Sequence, residues 1–335
     1  MAANRTLPWS WYSDPDVLRR EQERIFRHAW QYVGHSGRVS KVGDRFSAWA
    51  GEIPVLVVRA EDGIRVFLNV CRHRGSLLVE GEGNGKSVQC PYHAWTYELD
   101  GSLRAAPRSD REPDFDPGGL SLVALRLEAW GPFLFVNPDE NAAPLADTLG
   151  PVTDLIPVDD LVFHSRDDYQ LAANWKIACE NYLECYHCPV AHKGFSAAYD
   201  VDPDEYRLEP IAEHVLSQFA HTRNGEEGQG QFHFVWPNIK INVLAGRPNL
   251  SIGPVLPAGP DRATGYLDYF FARDADSAWV DELLEFDRQV GAEDRVLVER
   301  VQKGVRSGLV EEGRLLGKSE QLVARFQELV SLALS

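Results

Sequence analysis

At 335 residues, with 44% apolar and 25% charged positions, the chain has the composition of an ordinary globular protein and the length for two domains or one with a generous core. A formal net charge of −16, from 34 basic against 50 acidic residues, argues against nucleic acid and anionic membranes and suits a cationic substrate or a basic redox partner. No apolar run reaches membrane-span length, no signal-peptide pattern stands at the start, and five unevenly spaced cysteines fit a reducing compartment where thiols bind metal or pack, so a cytoplasmic protein is expected.

Asp14-Pro15-Asp16 combines an N-cap oxygen, a proline suited to the first helical position and a carboxylate near the positive helix end, and predicts a helix start. Val17, Leu18, Ile25, Phe26, Ala29, Trp30 and Val33 then mark an apolar face that packs on a core. From about Val39 the chain turns to short β-prone runs at 46–49, 55–59, 66–70, 87–90, 95–99 and 133–136. Turn residues such as Gly43-Asp44 and Asp100-Gly101 lie between or beside them, so hairpins of a small all-β domain are predicted.

Inside that domain stand Cys71-Arg72-His73 and Cys90-Pro91-Tyr92-His93, a C-x-H and a C-x2-H separated by sixteen residues. Zinc fingers normally pair cysteine with cysteine and histidine with histidine. Here each hairpin tip carries one of each, the arrangement that holds a Rieske [2Fe–2S] cluster with two cysteines on one iron and two histidines on the other. The glycine-rich 81–87 is read as the flexible loop between the tips and not as a phosphate loop, because only three residues separate Gly81 from Gly85 where four are needed. The proline- and aspartate-rich 142–160 reads as a crossover into a second domain.

There, Glu184, His187 and His192 form E-x2-H-x4-H. Helical spacing puts Glu184 and His187 on one face, and Pro189 should end the helix near Cys188 so that His192 swings back. Two histidines and a carboxylate from elsewhere make the facial triad of non-haem Fe(II) oxygenases. Taken alone, the stretch fits a zinc site or two core histidines equally well; the upstream cluster motif decides for iron. Runs at 215–222, 232–236, 239–244, 249–252 and 266–272 predict an antiparallel sheet against which the iron helix packs. The segments 281–304 and 319–334 are helical by periodicity, the latter with Ser319 as N-cap. The first of these offers Asp287, Glu293 and Asp294 as the third ligand, and Glu293 and Asp294 point about 100° apart, so both cannot face one metal.

The segments CRHRG, CPYHAWTYELDG and NWKIACENYLECYHCPVAH, with an acidic C-terminal helix, resemble the α (oxygenase) subunits of Rieske non-haem iron oxygenases over nearly the whole chain. One departure is Ala94, where a glycine commonly follows the second cluster histidine; one added methyl is expected to matter little. The resemblance implies an α+β fold: a helical segment at 1–38, an all-β Rieske [2Fe–2S] domain at 39–140, and at 141–335 a catalytic domain whose antiparallel sheet is covered by helices. It implies a cluster on Cys71, His73, Cys90 and His93, and mononuclear Fe(II) on His187, His192 and Asp294; Asp287 is the runner-up as third ligand and otherwise reads as a solvated helix face. Glu184 would not bind iron but would link His187 to His93 of a neighbouring subunit, orienting the histidine and giving the electron a short route. A head-to-tail homotrimer follows.

Electrons would come from a separate NAD(P)H-dependent flavin or iron–sulfur reductase, since the chain has neither a nucleotide-binding G-x-G-x-x-G in a βαβ context nor a plant-type ferredoxin motif. A Rieske electron carrier and a zinc hydrolase are the rival classes; a carrier needs no second metal. ECYHCPVAH with a following GF resembles the branch that oxidises quaternary ammonium compounds such as carnitine, betaines and choline. That implies hydroxylation or N-demethylation of a small amine, with aromatic-ring hydroxylation as the alternative. Phe232, Phe234, Trp236, Tyr266 and Phe270 are candidate pocket residues, and cation–π contact with a methylated ammonium is worth about 2 kcal/mol where desolvated. Cys179, Cys185 and Cys188 read as small packing residues around the metal helix. Of the histidines without ligand spacing (His28, His35, His164, His214, His221, His233), His233 is the candidate pocket residue.

Overall fold

A helix over Pro15–Glu21 (α1) forms where expected, capped by the Asp14 carboxylate, which accepts from the Asp16 amide at 2.8 Å. A single π turn, Gln22–Phe26, follows. The computed structural model describes residues 4–223, 225 and 227–335. It divides into two compact units, Phe26–Leu145 and Ala146–Ser335, the latter joined by the described N-terminal residues up to Ile25. The helical reading of 1–38 therefore runs too far. Gln31–His35 is strand β1, buried at every position, and a run buried on both faces pairs in a sheet instead of presenting one helical stripe.

In Phe26–Leu145 the strands after β1 are β2 (Asp44–Ala50), β3 (Ile53–Ala60), β4 (Gly63–Leu68), β5 (Glu82–Asn84), β6 (Val88–Gln89), β7 (Thr96–Tyr97), β8 (Leu103–Ala105), β9 (Arg126–Trp130) and β10 (Phe133–Asn137). They form sheets of order β1-β10-β9, β4-β3-β2-β5 and β6-β7-β8, antiparallel throughout. Strand β3 carries no polar face in its centre. Its alternation sends Val55 and Val57 into one apolar cluster with Phe46 and Leu134, and Leu56 and Val58 into another with Phe67, Trp95 and Tyr97. Cys71 and Cys90 belong to the second cluster, so both motif tips stand on one core.

The crossover segment holds two short helices, α2 (Leu145–Leu149) and α3 (Val152–Leu155). The larger unit then runs β11 (Leu161–Leu171), α4 (Trp175–Tyr182), α5 (Cys188–Ala191), α6 (Lys193–Ala198), β12 (Arg207–Ala212), β13 (Val215–His221), β14 (Gln229–Val235), β15 (Ile239–Val243), β16 (Asn249–Gly259), β17 (Arg262–Ala272), α7 (Ser277–Val305) and α8 (Gln321–Leu334). The strands make one antiparallel sheet of order β11-β17-β16-β15-β14-β13-β12. Strands β11 and β12, absent from the sequence reading, are its two edges, where charged residues and Pro210 are tolerated and the apolar alternation fades. Asn174 caps α4, accepting from the Lys176 amide at 2.9 Å, and Asp276 caps α7, accepting from the Trp279 amide at 3.0 Å. Ser319 caps nothing: α8 starts at Gln321 after Glu320. No described helix is long and apolar enough to cross a membrane.

Candidate active site

The two cysteine–histidine tips are built alike. The amide four residues after each cysteine donates to the cysteine carbonyl, Gly75 to Cys71 and Ala94 to Cys90, both at 3.1 Å. Each closing residue takes a left-handed φ, +75° at Gly75 and +59° at Ala94. Alanine at 94 thus stands in a conformation that favours glycine, and its methyl matters more than the sequence suggests. Cys71 and Cys90 are buried, while His73 and His93 are exposed with ring centroids 4.8 Å apart. Burial pushes the Cys90 thiol up, but the amides of Tyr92 and His93 and the side chains of Cys71 and Ser76 outweigh it and lower its pKa. Trp95 stacks on His73 at 4.8 Å. Paired thiols inside and paired imidazoles outside fit a two-iron cluster with two ligands of one kind on each iron.

The second centre reaches the expected convergence by another route. Helix α4 stops at Tyr182, so Glu184 and His187 share a turn, in which the Glu184 carboxylate accepts from the amides of Tyr186 (2.5 Å) and His187 (3.2 Å). Pro189 lies in the first turn of α5 instead of ending a helix, and there its missing N–H costs nothing. His192 lies between α5 and α6. His187 Nε2 and His192 Nε2 come within 3.1 Å, and Asp294 Oδ1 on α7 lies 3.4 Å from the first and 2.9 Å from the second.

Each imidazole also meets a carboxylate with its other nitrogen. His187 Nδ1 is 2.5 Å from Glu184 Oε1, and His192 Nδ1 is 2.7 Å from Glu293 Oε2. A carboxylate only accepts, so Nδ1 carries the proton and Nε2 is the atom left for a metal. Glu293 does point away from the metal point, and that offset around α7 sets it beside His192; the sequence reading missed this contact. Burial disfavours an imidazolium at His187, yet Asp294 and Glu184 carry its pKa up to about 9. Burial would also raise Asp294, but the two histidines hold it well below the usual carboxylate range. The pocket stabilises positive charge at one point. His187, His192 and Asp294 are the group among the described residues able to hold a metal ion, and two imidazoles with one carboxylate fit Fe(II) with open positions.

A cavity of about 130 Å³ opens onto these three residues, with Phe195, Tyr206, Phe232 and Phe286 as aromatic wall and Lys240 and Asn242 as polar wall. A second cavity, about 580 Å³, adjoins it past Lys240 and Asp287. Of the five aromatic candidates, Phe232 alone lines either. Phe234 and Trp236 share its strand face, but farther along β14 that face meets α8, with ring centroids 5.5 and 5.7 Å from Phe326. Tyr266 and Phe270 have the wrong parity: Leu267 faces the cavity, while Tyr266 lies under the Arg166 guanidinium at 3.7 Å and Phe270 packs on Phe163 at 5.6 Å.

His233 alternates with Phe232 and so faces away, fully buried, its Nδ1 2.8 Å from Ser217 Oγ; burial lowers its pKa to about 4. Asp287 is not a solvated helix residue. It sits in the cavity wall, accepts from Tyr269 Oη, and burial raises its pKa. Cys185 and Cys188 pack beside Phe195 and Phe232 as expected, but as a disulfide and not as free thiols. The turn that replaces the expected helix brings their Cα atoms to 5.0 Å, within bonding reach. Cys179 is free and buried. The overlooked Lys240 did leave one signal, a single cation inside the apolar run Ile239-Lys240-Ile241.

The family described as ring hydroxylating alpha subunit (catalytic domain) matches residues 158–335, and that described as Rieske [2Fe-2S] domain matches residues 29–123. The chain is 33% identical to the carnitine monooxygenase oxygenase subunit of Acinetobacter baumannii, over 97% of this chain and 94% of that protein. It is 31% identical to the chloroplastic choline monooxygenase of Beta vulgaris, over 96% of this chain and 75% of that protein. Among solved structures it resembles the quaternary ammonium Rieske monooxygenase CntA bound to an inhibitor, with TM-score 0.90 and 32% identity over 99% of this chain and 96% of that one.

Proposed function

Because the chain belongs to the family of ring-hydroxylating oxygenase α subunits and carries a Rieske [2Fe–2S] domain, we propose that it is a terminal oxygenase that hydroxylates or N-demethylates a small quaternary-ammonium substrate. The observation that carries the substrate class is the small, aromatic-walled cavity of about 130 Å³ against His187, His192 and Asp294. Aromatic faces attract a methylated ammonium through their quadrupoles. Carnitine and choline monooxygenases are among the relatives of the chain.

Cys71, His73, Cys90 and His93 would hold the cluster, and His187, His192 and Asp294 the mononuclear iron. When bound, the cluster supplies single electrons and the iron supplies dioxygen activation. The chain's own residues do the rest. Glu184 and Glu293 keep the Nδ1 protons of His187 and His192 in place and fix both rings. Phe195, Phe232 and Phe286 exclude water and seat the methyl groups. In this reading Glu184 also meets His93 of a neighbouring copy, which makes a head-to-tail homotrimer. A separate NAD(P)H-dependent reductase provides the electrons, and the location is cytoplasmic.

The test is NADH-coupled oxygen uptake by the reconstituted protein with γ-butyrobetaine, choline and naphthalene, scored by product. A trimethylammonium compound should couple NADH use to product. Tight coupling with the arene and none with either ammonium compound would overturn the proposal.

A further inference from the structure

Lys240 is the part of the cavity that a quaternary ammonium alone does not explain. It projects from β15 into the wall shared by both cavities. Among the described residues no carboxylate pairs with its Nζ, whose aromatic neighbours are the rings of Tyr169 at 5.0 Å and Tyr182 at 5.6 Å. Asp287, the acid in the same wall, is engaged by Tyr269 Oη. Burial works against the charged form, but Tyr169, Asp287 and Asp294 more than compensate, and the ammonium is retained. Lys240 is thus a retained ammonium in a cavity wall, with no carboxylate at ion-pair distance among the described residues, and it is placed to meet an anionic group on a bound molecule.

The surroundings leave room for that anion beside the aromatic wall. The second cavity, about 580 Å³ and also lined by Lys240, supplies that space, and across the sheet Lys240 pairs with Gly253, which carries no side chain. On the other side Phe232 pairs with Asn242, which shares the cavity face with Lys240 two residues along β15, a step of about 7 Å. A cation without an anionic group, such as choline, would bring a second positive charge toward Lys240. A molecule carrying both signs would place its trimethylammonium at the rings and its carboxylate at the ammonium.

We infer that Lys240 is a specificity-determining residue that binds the carboxylate of a zwitterionic substrate, so that the substrate class is trimethylammonium carboxylates and not amino alcohols. The inference rests on the quaternary-ammonium reading above. Its test is calorimetric binding to the protein carrying cluster and iron, with γ-butyrobetaine, its methyl ester and choline as probes, followed by kcat/KM for each. The wild type should bind the acid about tenfold or more tightly than the ester. Lys240→Met should lose that preference by weakening the acid and sparing the ester, while Lys240→Arg keeps it. If Lys240→Met fails to fold, the wild-type ratio and Lys240→Arg still decide. Equal binding of acid and ester, or tighter binding of choline, overturns the role of Lys240 and leaves the quaternary-ammonium reading standing. Failure of all three probes to bind overturns both.

Discussion

Two carboxylates beside the candidate metal group contact its histidines, and they do so unequally. Glu184 is held by two backbone amides as well as by His187, whereas Glu293 holds His192 with Gln289, at 3.1 Å, beside it. Glutamine keeps the size of either residue but loses the charge that fixes the Nδ1 proton. Outer partners of this kind are worth about 10- to 100-fold in metal affinity or activity. Glu293→Gln should therefore weaken iron binding within that range, measured by retention of mononuclear iron against a graded chelator. Glu184→Gln should cut product formation further than any loss of mononuclear iron accounts for, with cluster content at the wild-type level. Normal turnover in Glu184→Gln with the native reductase would remove that residue from electron delivery.

At the scale of elements, the turn that carries Glu184 and His187 is anchored from behind. Helix α4 directly precedes Glu184, and its Lys176 is fully buried, donating to Glu21 of α1 at 2.5 Å and to the Trp11 carbonyl at 3.0 Å. Trp175 Nε1 donates to the other oxygen of Glu21 at 2.8 Å. Breaking a buried pair by removing one partner strands the other charge and costs roughly 3–5 kcal/mol, whereas replacing both can be nearly neutral. Lys176→Met should lower the unfolding free energy obtained from urea titration by an amount in that range, and Glu21→Gln with Lys176→Met should recover most of the loss. An equal loss in the double variant would mean that the packing of the lysine stem, and not the pairing, holds α4 in place.

For the molecule as a whole, the two candidate metal centres lie in different units, the cysteine–histidine tips in Phe26–Leu145 and the His187, His192 and Asp294 group in the larger one. Each draws its residues from its own core. Asp294→Ala should therefore lower the iron content from about three to about two per chain, with visible absorbance and the reduced EPR signal of the cluster unchanged. Loss of the cluster signal together with the third iron would show that the centres depend on each other for assembly.

What the sequence by itself determined is what short-range geometry carries. The cysteine–histidine tips, the E-x2-H-x4-H turn and the Asp14 cap each lie within a few residues, so spacing alone brings their groups together. The central strands of both units were legible because burial imposes an alternation that the edge strands β11 and β12 are free to lose. Tertiary structure decided the rest, since it depends on which faces meet. The register of β14 to β17 under α4, α7 and α8 admits Phe232 and Leu267 to the cavity and turns Tyr266, Phe270 and His233 away. The rotation of α7 gives Asp294 to the metal point, Glu293 to His192 and Asp287 to the wall. The early stop of α4 brings Cys185 to Cys188, and Lys240 becomes a cavity cation only because strands and helices far apart in the chain enclose it.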